Sequence, residues 1–166
     1  MGLATRFPEP GKLLYRMCGT SEYMSPEMVC RKGYSYMTDI WSFGVFVYEL
    51  LTCSTPFQAG DGEPQGNAHV VERLRNHTKI TFPPDVTVEK AAKELVFGLL
   101  TRAEDKRLGA KDPPGNYQSI KSQAWFTDMN WKALARGLHT PSIFPRFAPE
   151  TMIPCKGKLP WMDDAE

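Results

Sequence analysis

Asp39-Ile40-Trp41-Ser42-Phe43-Gly44-Val45-Phe46-Val47-Tyr48-Glu49-Leu50-Leu51 is the stretch that decides the fold. From Ile40 to Leu51 only Ser42, Gly44 and Glu49 are not apolar. A helix apolar on nearly every side is expected inside a core rather than on a surface. It is short of the roughly 20 residues a bilayer needs, and Glu49 interrupts it. Ser35 and Thr38 are candidate caps before it, and Pro56 marks a point past its end. An acid at each end of an apolar rod, Asp39 and Glu49, needs partners, because burying an unpaired carboxylate is costly.

The neighbours of this rod read as further helices. Pro26 suits the first turn of a short helix through Val29. Ala68 to Asn76 places Val70, Val71 and Leu74 on one side and Glu72, Arg73 and Arg75 on the other. Val88 to Leu100 puts Val88, Ala91, Ala92, Leu95, Val96 and Leu99 on one face, with Thr87 as its expected cap. Ser119 to Trp125 is a further short helix whose end, Trp125-Phe126, is expected to enter the core. Ile80-Thr81-Phe82 reads as extended and is stopped by Pro83-Pro84. Pro8, Pro10 and Gly11 mark a loop, as do Gly60 to Gly66 and Asp112 to Asn116. Pro141, Pro145, Pro149, Pro154 and Pro160 forbid regular helix at the C-terminus. The fold class is therefore mainly α.

With 166 residues, 42% hydrophobic and 23% charged, the chain is long enough for one domain with a core. A net charge of +1 gives no basic field for nucleic acid. The four cysteines form no CxxC pair, which argues against a zinc site or a disulfide framework and for reduced thiols in a cytoplasmic setting. No secretory signal and no membrane span are legible, and Arg6 spoils the myristoylation pattern that Met1-Gly2 begins.

Five pieces in order resemble the C-terminal lobe of a eukaryotic Ser/Thr protein kinase. They are Gly19-Thr20-Ser21-Glu22-Tyr23-Met24-Ser25-Pro26-Glu27, Asp39-x-Trp41-x-x-Gly44, Thr55-Pro56-Phe57, Asp105-Lys106-Arg107-Leu108-Gly109, and Trp125-Phe126 with Asn130-Trp131 and the proline tail. The last looks like the AGC group, and within it the chain is most similar to the cyclic-nucleotide-dependent kinases. The resemblance implies a partial kinase domain over residues 1–126, with activation segment and later helices. Residues 127–166 would be an AGC-type tail, disordered after about Pro145.

Gly2-Leu3-Ala4 looks like the end of the family's Asp-Phe-Gly-Leu-Ala run, with Met1 where Phe stands. The glycine-rich loop, the phosphate-binding lysine, the catalytic aspartate and the metal-binding aspartate have no counterpart in this chain. Phosphoryl transfer depends on the positioning and electrostatics those parts supply. The expectation is that no catalytic residue lies here, that ATP and Mg belong to the parent enzyme, and that this fragment alone binds neither. The small lobe would be its natural partner, together with peptides carrying basic residues before the acceptor.

The resemblance also assigns residues. Glu27 and Arg107 match the family's buried ion pair, and the alternative is two surface charges. Asp39 matches an acid that accepts backbone N–H bonds from the catalytic loop, so here its carboxylate is expected to reach solvent or the helix start to loosen. Trp41 is structural. Glu49 matches a position that reads an arginine before the acceptor, and the alternative is a salt bridge inside the lobe. Met17, Ser21 and Met24 lie where the family forms an apolar pocket for the residue after the acceptor, and plain core filling is the alternative. Thr20 matches a threonine that bonds the catalytic groups. Arg16 stands where many relatives carry a phosphorylatable threonine, which leaves Thr5, Tyr15 or no phosphate at all. Ser21 replaces a common proline and is expected to loosen its loop. Three functions stay open: the docking part of a Ser/Thr kinase, a non-catalytic pseudokinase-like binding module, and an inactive truncated product.

Overall fold

The computed structural model describes residues 3–6, 11–58, 66–76 and 79–138. Most of the Gly60 to Gly66 loop and the proline tail lie outside them. Two units separate, residues 1–129 and 130–166. Helices of the first are α1 (Pro26–Val29), α2 (Met37–Thr52), α3 (Asn67–Arg75), α4 (Lys90–Leu99) and α5 (Gln118–Lys121). Single 3₁₀ turns cover Ser21–Tyr23, Glu104–Lys106 and Ala124–Phe126. In the second unit α6 (Trp131–Ala135) is capped by Asn130, whose side chain accepts from the Ala133 N–H. The described residues contain no strand; Leu14 and Tyr34 form an isolated antiparallel bridge. Ile80-Thr81-Phe82 forms no ladder, and instead its Thr81 carbonyl accepts from the Tyr48 hydroxyl at 2.8 Å.

α2 starts earlier than the apolar run suggests. Ser35 Oγ accepts the Met37 N–H at 3.2 Å and so satisfies one of the helix's free donors. Thr38 does not cap; it sits inside the helix and donates to Ser25 Oγ at 2.8 Å. At the other end Cys53 takes a left-handed conformation, φ 57°, and returns its N–H to Glu49 O at 2.7 Å. That left-handed residue, with Pro56 beyond it, stops the helix.

The expectation of burial on nearly all sides needs correction. Ile40, Trp41, Val45, Val47 and Tyr48 are buried, but Phe43, Phe46 and Leu50 are 37%, 47% and 63% exposed. With Asp39, also exposed, they recur at four-, three- and four-residue steps, the repeat of one helix face. Composition alone does not say which side of an apolar helix will find a neighbour. The buried side packs on α4. At their crossing a Cβ on Gly44 would stand 2.8 Å from Leu99 Cβ, so glycine permits the close approach.

α4 begins at Lys90, later than expected. Thr87 caps nothing; Glu89 holds the cap position without a side-chain bond. Its apolar face behaves as the periodicity requires, with Ala92, Leu95, Val96 and Leu99 buried. The expected Ser119–Trp125 helix divides into α5 and a 3₁₀ turn because Gln123 turns extended, ψ 146°. Asp112 starts α5 from a distance, accepting from the Ser119 N–H and hydroxyl at 2.8 and 2.7 Å. Trp125 and Phe126 are half-buried and pack against the edge of the core.

Candidate functional site

The site grows from the turn Ser21–Tyr23, which follows Gly19 in a left-handed conformation, φ 95°. The turn closes on itself through Tyr23 N–H to Thr20 O, 3.1 Å, and Met24 N–H to Ser21 O, 3.2 Å. Three longer bonds then fix it in space. Tyr23 Oη donates to the Glu49 carboxylate at the far end of α2. Ser42 Oγ donates to Tyr23 O at 2.9 Å. Ser21 Oγ donates to Asn67 Oδ1, at the start of α3, at 2.8 Å. The bond to Glu49 pushes the Tyr23 hydroxyl above its ordinary value, helped by burial and by the charges of Glu49 and Glu22. Tyr23 therefore remains a donor at neutral pH.

A cleft of about 630 Å³ opens beside this turn, with Thr20, Tyr23, Met24, Tyr34 and Asp39 among its lining residues. Thr20 and Met24 thus share one wall. Met17 is 39% exposed and lies off that lining, and Ser21 is buried and faces α3 instead. The Ser21 hydroxyl joins its loop to the start of α3. Asp39 lies at the cleft with its carboxyl pushed up by desolvation, while α2 begins ahead of it without loosening.

Glu27 and Arg107 meet 80 residues apart in sequence, through Nη1 to Oε1 at 2.8 Å and Nη2 to Oε2 at 3.0 Å. Both are buried. Arg107 also donates to the carbonyls of Met37, Thr101 and Arg102. Its guanidinium lies 5.1 Å from the Trp41 ring, which stacks on Phe57 at 5.7 Å. Burial pushes the Glu27 carboxyl up, but the Arg107 bonds and charge, with the Ser25 hydroxyl, outweigh it and hold the carboxyl below its usual value. The pair rests on the short helix α1, whose Ser25 cap accepts from Met28 N–H. It fixes where the Ser21–Tyr23 turn leaves the body of the domain.

Sequence reasoning missed Tyr23, Ser42 and Asn67, the partners that hold the turn. A tyrosine inside a polar loop was the one available signal; Asn67 had none, because its role comes from chain reversal. It also missed Ser35 donating to Glu104, a second link between the start of α2 and the Arg107 turn. Arg16 is exposed; its carbonyl accepts from Tyr34 Oη at 2.6 Å. Leu14 and Tyr34 exchange backbone bonds of 3.0 and 2.9 Å, which ties the strand-like lead-in to the loop before α2.

Residues 1–126 match the family model described as protein kinase domain. Serine/threonine-protein kinase gad8 of Schizosaccharomyces pombe is 36% identical over 132 residues, covering 80% of this chain and 20% of that protein. Serine/threonine-protein kinase AtPK2/AtPK19 of Arabidopsis thaliana is 38% identical over 144 residues, 87% of this chain and 28% of its own length. cAMP-dependent protein kinase type 3 of Saccharomyces cerevisiae is 32% identical over 178 aligned positions, 98% of this chain and 41% of its own length. The chain therefore spans less than half the length of each of these curated relatives.

Proposed function

Because the chain belongs to the protein kinase domain family, we propose that it forms the C-terminal-lobe part of a Ser/Thr protein kinase of the AGC group. In this reading it supplies the activation segment and a groove that docks peptide substrates, within residues 1–126. ATP and Mg serve the parent enzyme, which transfers the γ-phosphate to proteins. In this reading the residues that hold ATP and Mg belong to the rest of the parent enzyme.

The observation that carries the reading is the bond between Tyr23 and Glu49. It brings the cleft-lining loop and the acid of α2, 26 residues apart, to one place. A carboxylate held there can accept a guanidinium through charge-assisted bonds. Thr20 and Met24 line the cleft together with Tyr23, and a methionine adapts to varied apolar side chains. A substrate with an arginine before its acceptor and an apolar residue after it fits these groups. Glu27 and Arg107 hold the platform.

The test is binding of arginine-containing acceptor peptides to the chain, compared with Glu49→Gln. A drop of about tenfold or more is expected for a lost charge-assisted contact. Equal binding by both proteins rejects the groove. The exposed stripe Phe43, Phe46 and Leu50 favours a second reading, a non-catalytic module or inactive product when the chain stands alone. Phosphorylation of any peptide by the chain on its own would reject that second reading.

A further inference from the structure

We propose that Ser21 and Asn67 form a latch that sets the position of the docking loop, and thereby selectivity for the residue after the phospho-acceptor. The inference rests on the docking reading above and names a positioning pair within it.

The latch is built from opposite ends. Ser21 is buried at 7% exposure, whereas Asn67 is exposed on the first turn of α3. The hydroxyl spans the gap at 2.8 Å, linking positions 46 residues apart. α3 has no side-chain cap of its own, since Gly66 occupies the cap position. A proline at 21, which the resemblance leads one to expect, has no hydroxyl and could not make this bond. The loop in this chain is thus joined to α3 by a contact that a proline would forgo.

The geometry gives the latch its consequence. Ser21 faces α3 while its neighbours Thr20 and Met24 line the cleft. Turning Ser21 away from α3 must tilt Thr20 and Met24 with it, because the turn is closed by the Thr20–Tyr23 and Ser21–Met24 backbone bonds. Loss of the latch does not free the loop altogether. Tyr23 remains held by Glu49 and by Ser42. In Ser21→Ala the orphaned Asn67 oxygen, being exposed, is taken up by water and no buried acceptor is stranded; in Asn67→Ala the buried Ser21 hydroxyl is the group left without its partner. The expected effect is a shift of the cleft wall rather than unfolding.

The experiment uses the 166-residue chain and two arginine-containing peptides that differ only in isoleucine or glycine after the acceptor. The ratio of their dissociation constants is measured for the wild-type chain, Ser21→Ala, Asn67→Ala, the double variant and Asn67→Asp. Amide hydrogen exchange at Tyr23 and Met24 is followed in parallel. Each alanine variant should change the ratio by roughly three- to tenfold, the worth of one neutral hydrogen bond. The double variant should do no more than either alone, and Asn67→Asp, which keeps the acceptor, should restore the wild-type ratio. Exchange at both amides should quicken in step. An unchanged ratio with unchanged exchange overturns the latch, and so do additive effects. Should neither peptide bind the wild-type chain, the docking reading fails, and exchange alone then decides the latch: equal, non-additive acceleration sustains it and unaltered protection sinks it.

Discussion

At the scale of single residues, Arg107 is bonded through every N–H of its guanidinium. Its five contacts reach Glu27 and three carbonyls, so each N–H group aimed into the core has an acceptor. Removing one partner of such a pair strands a charge. Glu27→Gln should lower unfolding stability by about 3 kcal/mol in urea titrations; a loss under about 1 kcal/mol would show that the pair is dispensable. The pH dependence has a definite sign. Glu27 is held below its ordinary value of 4.5, so its contribution is complete above that pH and is lost as pH falls through the lowered folded value. Asp39 is raised above its ordinary value of 3.8 by desolvation. Its contribution is complete below that pH and is lost as pH rises through the raised folded value. Urea midpoints measured between pH 7 and 3 should therefore show a flatter acid limb in Glu27→Gln and a steeper one in Asp39→Asn. At pH 7, Asp39→Asn should melt no lower than the wild-type chain, and a clear drop in midpoint would mean that a partner stabilises the carboxylate.

At the scale of elements, α2 is divided lengthwise. Its buried side crosses α4 at Gly44, where an added methyl would meet Leu99 Cβ and Leu100 Cδ2, each at 2.8 Å. A Cβ on the facing helix cannot swing aside as the tip of a long side chain can. Gly44→Ala should therefore destabilise by about 1–3 kcal/mol from overpacking, despite alanine's helix preference of about 1 kcal/mol. A higher melting temperature would disprove the crossing. The other side carries Phe43, Phe46 and Leu50. Leu50, 63% exposed, contributes little to the fold, so Leu50→Lys should stay within about 0.5 kcal/mol of wild type. It should also reduce concentration-dependent light scattering, because contiguous exposed apolar surface drives association. Unchanged scattering would place the sticky surface elsewhere.

At the scale of the whole molecule, the fold is stitched by contacts distant in sequence. Val29 from α1, Trp41 from α2, Leu74 from α3, Leu95 from α4 and Ile120 from α5 share one core. Arg107 and Ile120 follow α1 to α4 in the chain, yet Arg107 bonds Glu27 of α1 and Ile120 shares the core with Val29 and Trp41. A chain ending at residue 102 would lack both, leaving Glu27 as a buried charge without its guanidinium and Trp41 without the cation over its ring. That truncation should show no cooperative thermal transition by circular dichroism, whereas the chain ending at residue 129 should keep one. A cooperative melt of the shorter piece would mean that the ion pair and α5 are additions to a core already complete.

The sequence by itself determined the helical class, the positions of α2, α3 and α4, and the kinase resemblance, because helical periodicity and motif order are local properties. It also named Glu27 and Arg107. What it could not determine was which side of an almost wholly apolar α2 would be covered, since every side satisfied the same hydrophobic rule. Nor could it foresee that Thr38 and Thr87 would lose their capping places, as capping depends on where neighbouring segments dock. The Tyr23–Glu49, Ser42–Tyr23 and Ser21–Asn67 bonds were decided by tertiary structure alone. Each joins polar groups that have no spacing rule between them and become neighbours only once the core has brought their elements together.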